Sequence, residues 1–178
     1  FSKPYCYHID QFESLRPVFM QVMKYARAMG LDMIQGDHED APGQLELNWM
    51  YDDVLRNADR LSTYRQICAQ VAREFNLIAC FMTKPFMGVS ASGCHTNMSL
   101  WTGGKDKVNK LSHKSIPAMD EVFTYVEGGK NTFMPDTKDV QLPGKVGLKA
   151  IGGVMKHLGA LTAIGSSTVN SYRRLWDT

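Results

Sequence analysis

Residues 91–101 read ASGCHTNMSLW, and the run alternates. On a strand, Cys94, Thr96, Met98 and Leu100 point to one side and His95, Asn97 and Ser99 to the other. An imidazole, an amide and a hydroxyl in line, backed by apolar side chains, predict the floor of a site. Residues 43–48, GQLELN, repeat the pattern, with Gln44, Glu46 and Asn48 alternating with Leu45 and Leu47. Two strands that each turn polar ligand types to one face are the strongest local signal in the chain.

Outward from these strands the pattern is mixed. Helical spacing of Phe12, Leu15, Phe19, Val22, Met23, Ala26 and Met29 predicts an amphipathic helix over 10–29, with Asp10 as N-cap and Gly30 just past the end. A strand is expected at 32–35, and DHEDAPG breaks regular structure before GQLELN. A second helix is predicted over 51–75, followed by the apolar run LIACFM (77–82) as a buried strand and KPFMG (84–88) as a turn. Residues 102–145, rich in Gly, Lys, Asp and Pro, are expected to be an insertion or lid, with a helix over 118–126. A last helix over 146–164 is expected to lead into a loop, GSSTVNSYRR. Strands and helices without regular alternation predict an α+β fold.

Composition narrows the classes. At 178 residues and 44% hydrophobic, the chain has enough apolar material for a substantial core and the length of one domain. A net charge of +2 is too small to argue for a nucleic-acid partner. No apolar run approaches the roughly 20 residues of a membrane span, and FSKPYCYHID has no leader pattern. Cys6, Cys68, Cys80 and Cys94 show no CxxC spacing, which fits reduced thiols in a cytoplasmic protein better than a zinc knuckle or disulfide framework. A start at Phe1 and a stop at Trp176-Asp177-Thr178 suggest a piece of a longer protein.

Glu39 and Glu46 are the first chemical candidates. Carboxylate oxygens suit hard cations such as magnesium or manganese, and an acid just before a strand can meet another on that strand at one ion. The alternative is two solvated surface acids, the usual fate of glutamate. His95 adds a nitrogen that the same metals accept, or serves as a hydrogen-bonded structural residue. Asn97 and Ser99 suit a nucleotide or a metal-bound water, or simple cross-strand pairing. Arg173 and Arg174 suit a carboxylate or phosphate, or form a solvated pair. HExxH and Walker A patterns are absent, so zinc-peptidase and P-loop chemistry lose support.

Taken together, HEDAPGQLELN, FMTKPFMGVSASGCHTNMSLW and TVNSYRR resemble, in order and separation, the motifs of glutamine synthetases. The wording DHEDAPGQLELNW is most similar to the type III-like branch that includes γ-glutamylmethylamide synthetases. The resemblance covers most of the chain apart from 102–145. It implies part of a catalytic domain, α+β, with a curved, mostly antiparallel sheet and flanking helices. It also implies a ring-shaped homo-oligomer for the full-length protein, two or more Mg2+ or Mn2+ ions, and ATP, L-glutamate and ammonia or a small amine as substrates. By that likeness Glu39 and Glu46 match metal ligands beside the glutamate and amine, and His95 matches a ligand of the metal at the nucleotide phosphates. Asn97, Ser99 and Tyr51 match ATP contacts, and Arg174 matches the catalytic arginine that grips the substrate carboxylate. Gly88, Ser90, Ala91 and Gly93 match the loop that bounds the glutamate pocket. Ser90-Ala91 stands where many of these enzymes have Asn-Gly, and Leu175-Trp176-Asp177 replaces the usual Val-Pro-Gly. Both departures leave open a ligase that uses methylamine or a polyamine in place of ammonia. A non-catalytic structural or regulatory relative is the remaining alternative.

Overall fold

The computed structural model describes residues 6–103, 105–112, 120–127, 129–135 and 142–176. The chain divides into two compact units, Phe1–Ser92 with Val108–Phe123, and Gly93–Lys107 with Thr124–Thr178. The described elements are five helices and six short strands, an α+β composition.

The first unit is built on two long helices and a hairpin. Helix α1 spans Ile9–Ala28, one residue from its predicted limits; His8 takes the N-cap position, and Asp10 lies in the first turn. At its other end Gly30 adopts φ +79°. Its N–H donates to the Arg27 carbonyl at 3.0 Å, and the Leu31 N–H donates to the Ala26 carbonyl at 2.9 Å. That pair of bonds satisfies the last carbonyls of the helix and turns the chain sharply into the next strand. Strand β1 (Met33–His38) pairs antiparallel with β2 (Leu45–Trp49). Helix α2 (Val54–Glu74) starts later than predicted because Asp53 caps it, accepting from the Leu55 and Arg56 amides at 3.1 and 3.0 Å. Its end repeats the device of α1, with Asn76 at φ +55° in the place of glycine.

The core of this unit lies where α1, α2 and β1 meet. Phe19, Val22, Met23, Ala26, Leu31, Met33, Ile67 and Val71 are buried together, with Leu47, Trp49 and Tyr64 packed against them. Arg60 ties the start of α2 to the turn after α1. Its guanidinium pairs with Asp32 at 2.9 Å and Asp52 at 3.1 Å, all three side chains nearly buried. Gly36 on β1 faces the Phe19 ring: a Cβ there would stand 2.0 Å from Phe19 Cε2 and 2.7 Å from the Glu46 carbonyl oxygen.

The second unit pairs β3 (Trp101–Thr102) antiparallel with β6 (Lys130–Asn131). Helices α3 (Lys145–Lys156), α4 (Leu158–Gly165) and α5 (Val169–Trp176) follow. Strands β4 (Lys105–Ser112) and β5 (Asp120–Glu127) form a third two-stranded sheet.

Five sequence expectations need correction. Residues 91–100 are not a strand; β3 begins only at Trp101. Residues 77–82 are not a buried strand either: Ile78 is 92% exposed and Met82 half exposed. Alternation and apolar runs say which side chains share a face, but a strand also needs a partner for its hydrogen-bond ladder. Among the described residues neither run has one. Of the helix expected over 118–126, residues 118–119 lie outside the described residues and 120–126 are instead part of strand β5, in keeping with the β-branched and aromatic run VFTYV. The single last helix breaks at His157 into α3 and α4, and the expected terminal loop is helix α5. Thr168 starts α5, its Oγ1 accepting from the Ser171 amide at 3.2 Å.

Gly36→Ala is expected to destabilise the fold by about 1–3 kcal/mol through overpacking against Phe19. Adding Phe19→Leu should recover part of that loss. Urea titration of the single and double variants checks this; an undisturbed midpoint for Gly36→Ala would remove the close packing from the account.

Candidate functional site

The β1–β2 hairpin gathers acids on one face. Its register places Asp37 opposite Glu46 and His38 opposite Leu45. The ladder runs one step further, the Glu39 N–H donating to the Gln44 carbonyl at 2.9 Å. Gly43, at φ +73°, and a bond from the Gln44 N–H to the Ala41 carbonyl (3.0 Å) close the turn. Since alternate residues share a face, Asp37 and Glu39 both lie on the side that carries Glu46. Burial, and then the charge of Glu46, push the Glu39 carboxyl above its ordinary range, and a hydrogen bond between the two carboxyls adds to the effect. Asn48 donates to Glu46 Oε1 at 3.1 Å, so the predicted Glu46–Asn48 face of β2 is real.

Two acids on one hairpin face are oxygen donors of the kind a hard divalent cation takes, and an ion there would remove the repulsion that, after burial, raises the carboxyl. Among the described residues no group of three or more His, Cys, Asp or Glu could hold a metal ion.

Tyr7 joins this face and was missed in the sequence. Its N–H donates to the His38 carbonyl at 2.8 Å. The charge of Glu39, ahead of burial, pushes its phenol upward. No local spacing connects residue 7 with residue 39. Tyr64 lies beneath β2, its ring 5.2 Å from Trp49, and burial pushes its hydroxyl far up, with Cys68 and Glu46 adding to it. Tyr51 is exposed, just before the Arg60-bound Asp52.

The segment 83–92 is fastened to the same hairpin. Gln44 Nε2 donates to the Ala91 carbonyl at 3.1 Å and lies 3.3 Å from Ser92 Oγ, while Gln44 Oε1 accepts from the Ala41 amide at 3.1 Å. Ser90 Oγ donates to the Asp40 carboxylate. Within the segment, Lys84 Nζ reaches the Val89 carbonyl at 2.8 Å, and the Ser92 amide reaches the Thr83 carbonyl at 2.8 Å. Gly88 makes the predicted turn at φ +75°.

In the second unit, His95 and Arg174 both lie beside Gly93. A Cβ on Gly93 would stand 3.2 Å from His95 Nε2 and 3.5 Å from Arg174 Nη2. An alanine there would press on the imidazole by a few tenths of an ångström and touch the guanidinium at ordinary contact distance. Asn97 and Ser99 lie on exposed irregular chain, and Ser99 Oγ accepts from the Trp101 indole at 2.9 Å. So Glu39, Glu46, Ser90 and Ala91 belong to one unit, and Gly93, His95, Asn97, Ser99 and Arg174 to the other.

A family model described as glutamine synthetase, catalytic domain, matches residues 2–178. The chain belongs to the glutamine synthetase family. It is 36% identical over 174 residues to a glutamine synthetase of Rhizobium leguminosarum bv. phaseoli, covering 98% of this chain and 34% of that relative. It is 31% identical to a glutamate–methylamine ligase of Methyloversatilis universalis, with the same coverage of each. A solved structure of GmaS without ligand aligns with TM-score 0.74 at 29% identity, covering 99% of this chain and 36% of that one. The chain thus spans about a third of the length of these relatives. No helix among the described residues is long and apolar enough to cross a membrane, and all four cysteines are free.

The raised Glu39 carboxyl has a pH signature. Its folded-state value lies above the ordinary 4.5, so the folded chain binds that proton more tightly. The stabilisation is fully present below 4.5 and is lost as pH rises through the raised value. Glu46→Gln should bring the Glu39 titration, followed by carboxyl NMR, down toward 4.5, but not all the way, because burial is the larger cause. An unmoved midpoint would show that the two acids do not interact.

Proposed function

We propose that the full-length protein is an ATP-dependent ligase that forms an amide at the γ-carboxylate of L-glutamate, with ammonia as the nitrogen donor. The observation that carries this reading is the Glu39–Glu46 pair on a hairpin of a glutamine synthetase-family chain. A protein that had kept the fold for a structural role alone would gain nothing from two acids whose closeness raises one of them.

The chemistry has two steps. The glutamate γ-carboxylate attacks the terminal phosphorus of ATP, the bridging P–O bond breaks, and ADP leaves. Ammonia then attacks the acyl carbon, phosphate departs, and the nitrogen loses a proton to give the amide. Glu39 and Glu46 would hold a divalent cation on the glutamate side, and His95 would hold one on the phosphate side. Such ions supply positive charge where the transferring phosphoryl group accumulates negative charge. Arg174, planar and permanently charged, suits a substrate carboxylate. Asn97, Ser99 and Tyr51 are proposed contacts of ATP, and Gly88, Ser90, Ala91 and Gly93 border the glutamate.

A second reading has methylamine in place of ammonia. It is favoured by the named glutamate–methylamine ligase and by the GmaS likeness in structure. An amine panel with the full-length protein separates the two: ammonium should give the higher kcat/KM, and a preference for methylamine or a diamine would transfer the assignment. In either case Glu46→Gln and His95→Ala should each lower phosphate release by about 100-fold or more, the scale of a lost transition-state charge contact. Manganese titration should show weakened binding in both. Unchanged manganese binding in both variants would favour a non-catalytic relative. The 178-residue chain alone is expected to release no phosphate from ATP in the presence of glutamate and ammonium.

A further inference from the structure

Gln44 has a use for every polar group it carries. Its backbone N–H and carbonyl close the hairpin turn, bonding Ala41 and Glu39. Its side-chain oxygen accepts from the Ala41 amide, and its side-chain nitrogen reaches the Ala91 carbonyl and the Ser92 hydroxyl. A second tie runs in parallel, from Ser90 Oγ to the Asp40 carboxylate. The hairpin residues involved, 40, 41 and 44, lie between Glu39 and Glu46. The other ends of both ties lie on three consecutive residues, 90–92.

We infer that Gln44, seconded by Asp40, is a positioning residue: it latches the 90–92 segment to the Glu39–Glu46 hairpin and so fixes the wall of the amino-acid pocket relative to the carboxylate pair. The inference rests on the proposed amide-ligase reading for what the pocket binds, but the latch itself rests on these hydrogen bonds. The donor at Gln44 Nε2 is essential to it. Two carbonyl-type oxygens cannot bond each other, so a carboxylate at position 44 would keep the Ala41 contact and repel the Ala91 carbonyl. The Ser90 hydroxyl, engaged by Asp40, acts here as an anchor for the wall rather than as a ligand group. A wall held by side chains from the hairpin moves with the hairpin, which couples what occupies the acids to the shape of the pocket beside them.

The test uses the full-length protein with Gln44→Glu and, separately, Ser90→Ala. Hydrogen–deuterium exchange over 83–92 should quicken by about tenfold in Gln44→Glu, the equivalent of one lost part-buried hydrogen bond. Amides of α2 should be unchanged, which confirms the fold. The KM for glutamate should rise about tenfold while that for ATP stays within about twofold, since the latch touches only one side of the chemistry. Ser90→Ala, a change at an exposed position, should act in the same direction by about threefold; it carries the test if Gln44→Glu fails to fold. Unchanged exchange over 83–92 in a folded variant overturns the latch, as does an equal rise in both KM values. If exchange quickens but the wild-type protein shows no glutamate-dependent phosphate release, the ligase reading falls and the latch stands.

Discussion

The chemistry of the first unit depends on the hairpin closing between Glu39 and Gln44. That closure brings together two acids seven positions apart, and burial, with the charge of Glu46 after it, raises the Glu39 carboxyl. Like charges in a partly buried place are costly, and the offsetting interactions are not in the acids themselves. They are the antiparallel ladder from Met33 to Leu45, the turn bonds at Ala41 and Gln44, and the packing of β1 on α1. Gly36 shows how tight that packing is, since the Phe19 ring occupies the volume a side chain would take. The core therefore sets the position of the strand, and the strand sets the separation of the acids.

Helices α1 and α2 end by the same device, and for the same reason. Each must turn its chain at once into a segment the site needs: β1 after α1, and the run toward residues 83–92 after α2. Gly30 and Asn76 take the left-handed conformation that allows the turn, and in each the following residue bonds back to the last turn of the helix. The buried Arg60 network adds a third fixed point, joining Asp32 at the foot of β1 to Asp52 beside Tyr51. Removing one member of such a network would strand the others without compensation, which makes it a means of specifying one arrangement.

Much of this was legible in the sequence, and the failures have a common physical cause. The helices of the first unit were readable because a helix satisfies its own backbone, so the spacing from Phe12 to Ala26 and from Ile67 to Ala72 is enough to place it. The Glu46–Asn48 face was readable for a similar reason: β2 has a partner only a short turn away. Residues 77–82 and 91–100 have the pattern of strands but no partner among the described residues, and pattern alone does not supply one. Where a helix was expected over 118–126, the β-branched and aromatic residues of 122–126 favour the strand that forms. Of the candidate residues, Glu39, Glu46, His95 and Arg174 were named through motif resemblance, each for its own role, whereas Tyr7 and the bonds of Gln44 were not. Tyr7 reaches the acids through a contact with no sequence signature, and Gln44 looks like one more polar residue on an alternating strand until its side-chain bonds are traced.

On the proposed reading, the latch would also bear on how the site tells ammonia from methylamine. The two donors differ by one methyl group, and a pocket distinguishes a methyl by only about 1–3 kcal/mol. Discrimination of that size is lost if the pocket wall moves by a fraction of an ångström, so the residues that hold the wall matter as much as those that line it. In this chain Ser90-Ala91 stands where glycine would leave the backbone free, the Ala91 carbonyl is held by Gln44, and the Ser90 hydroxyl is held by Asp40. Alanine narrows the backbone choices that glycine allows, and the two ties narrow them further. On the proposed reading, a wall tied at both Ala91 and Ser90 would hold its position beside the acids while the amine is chosen.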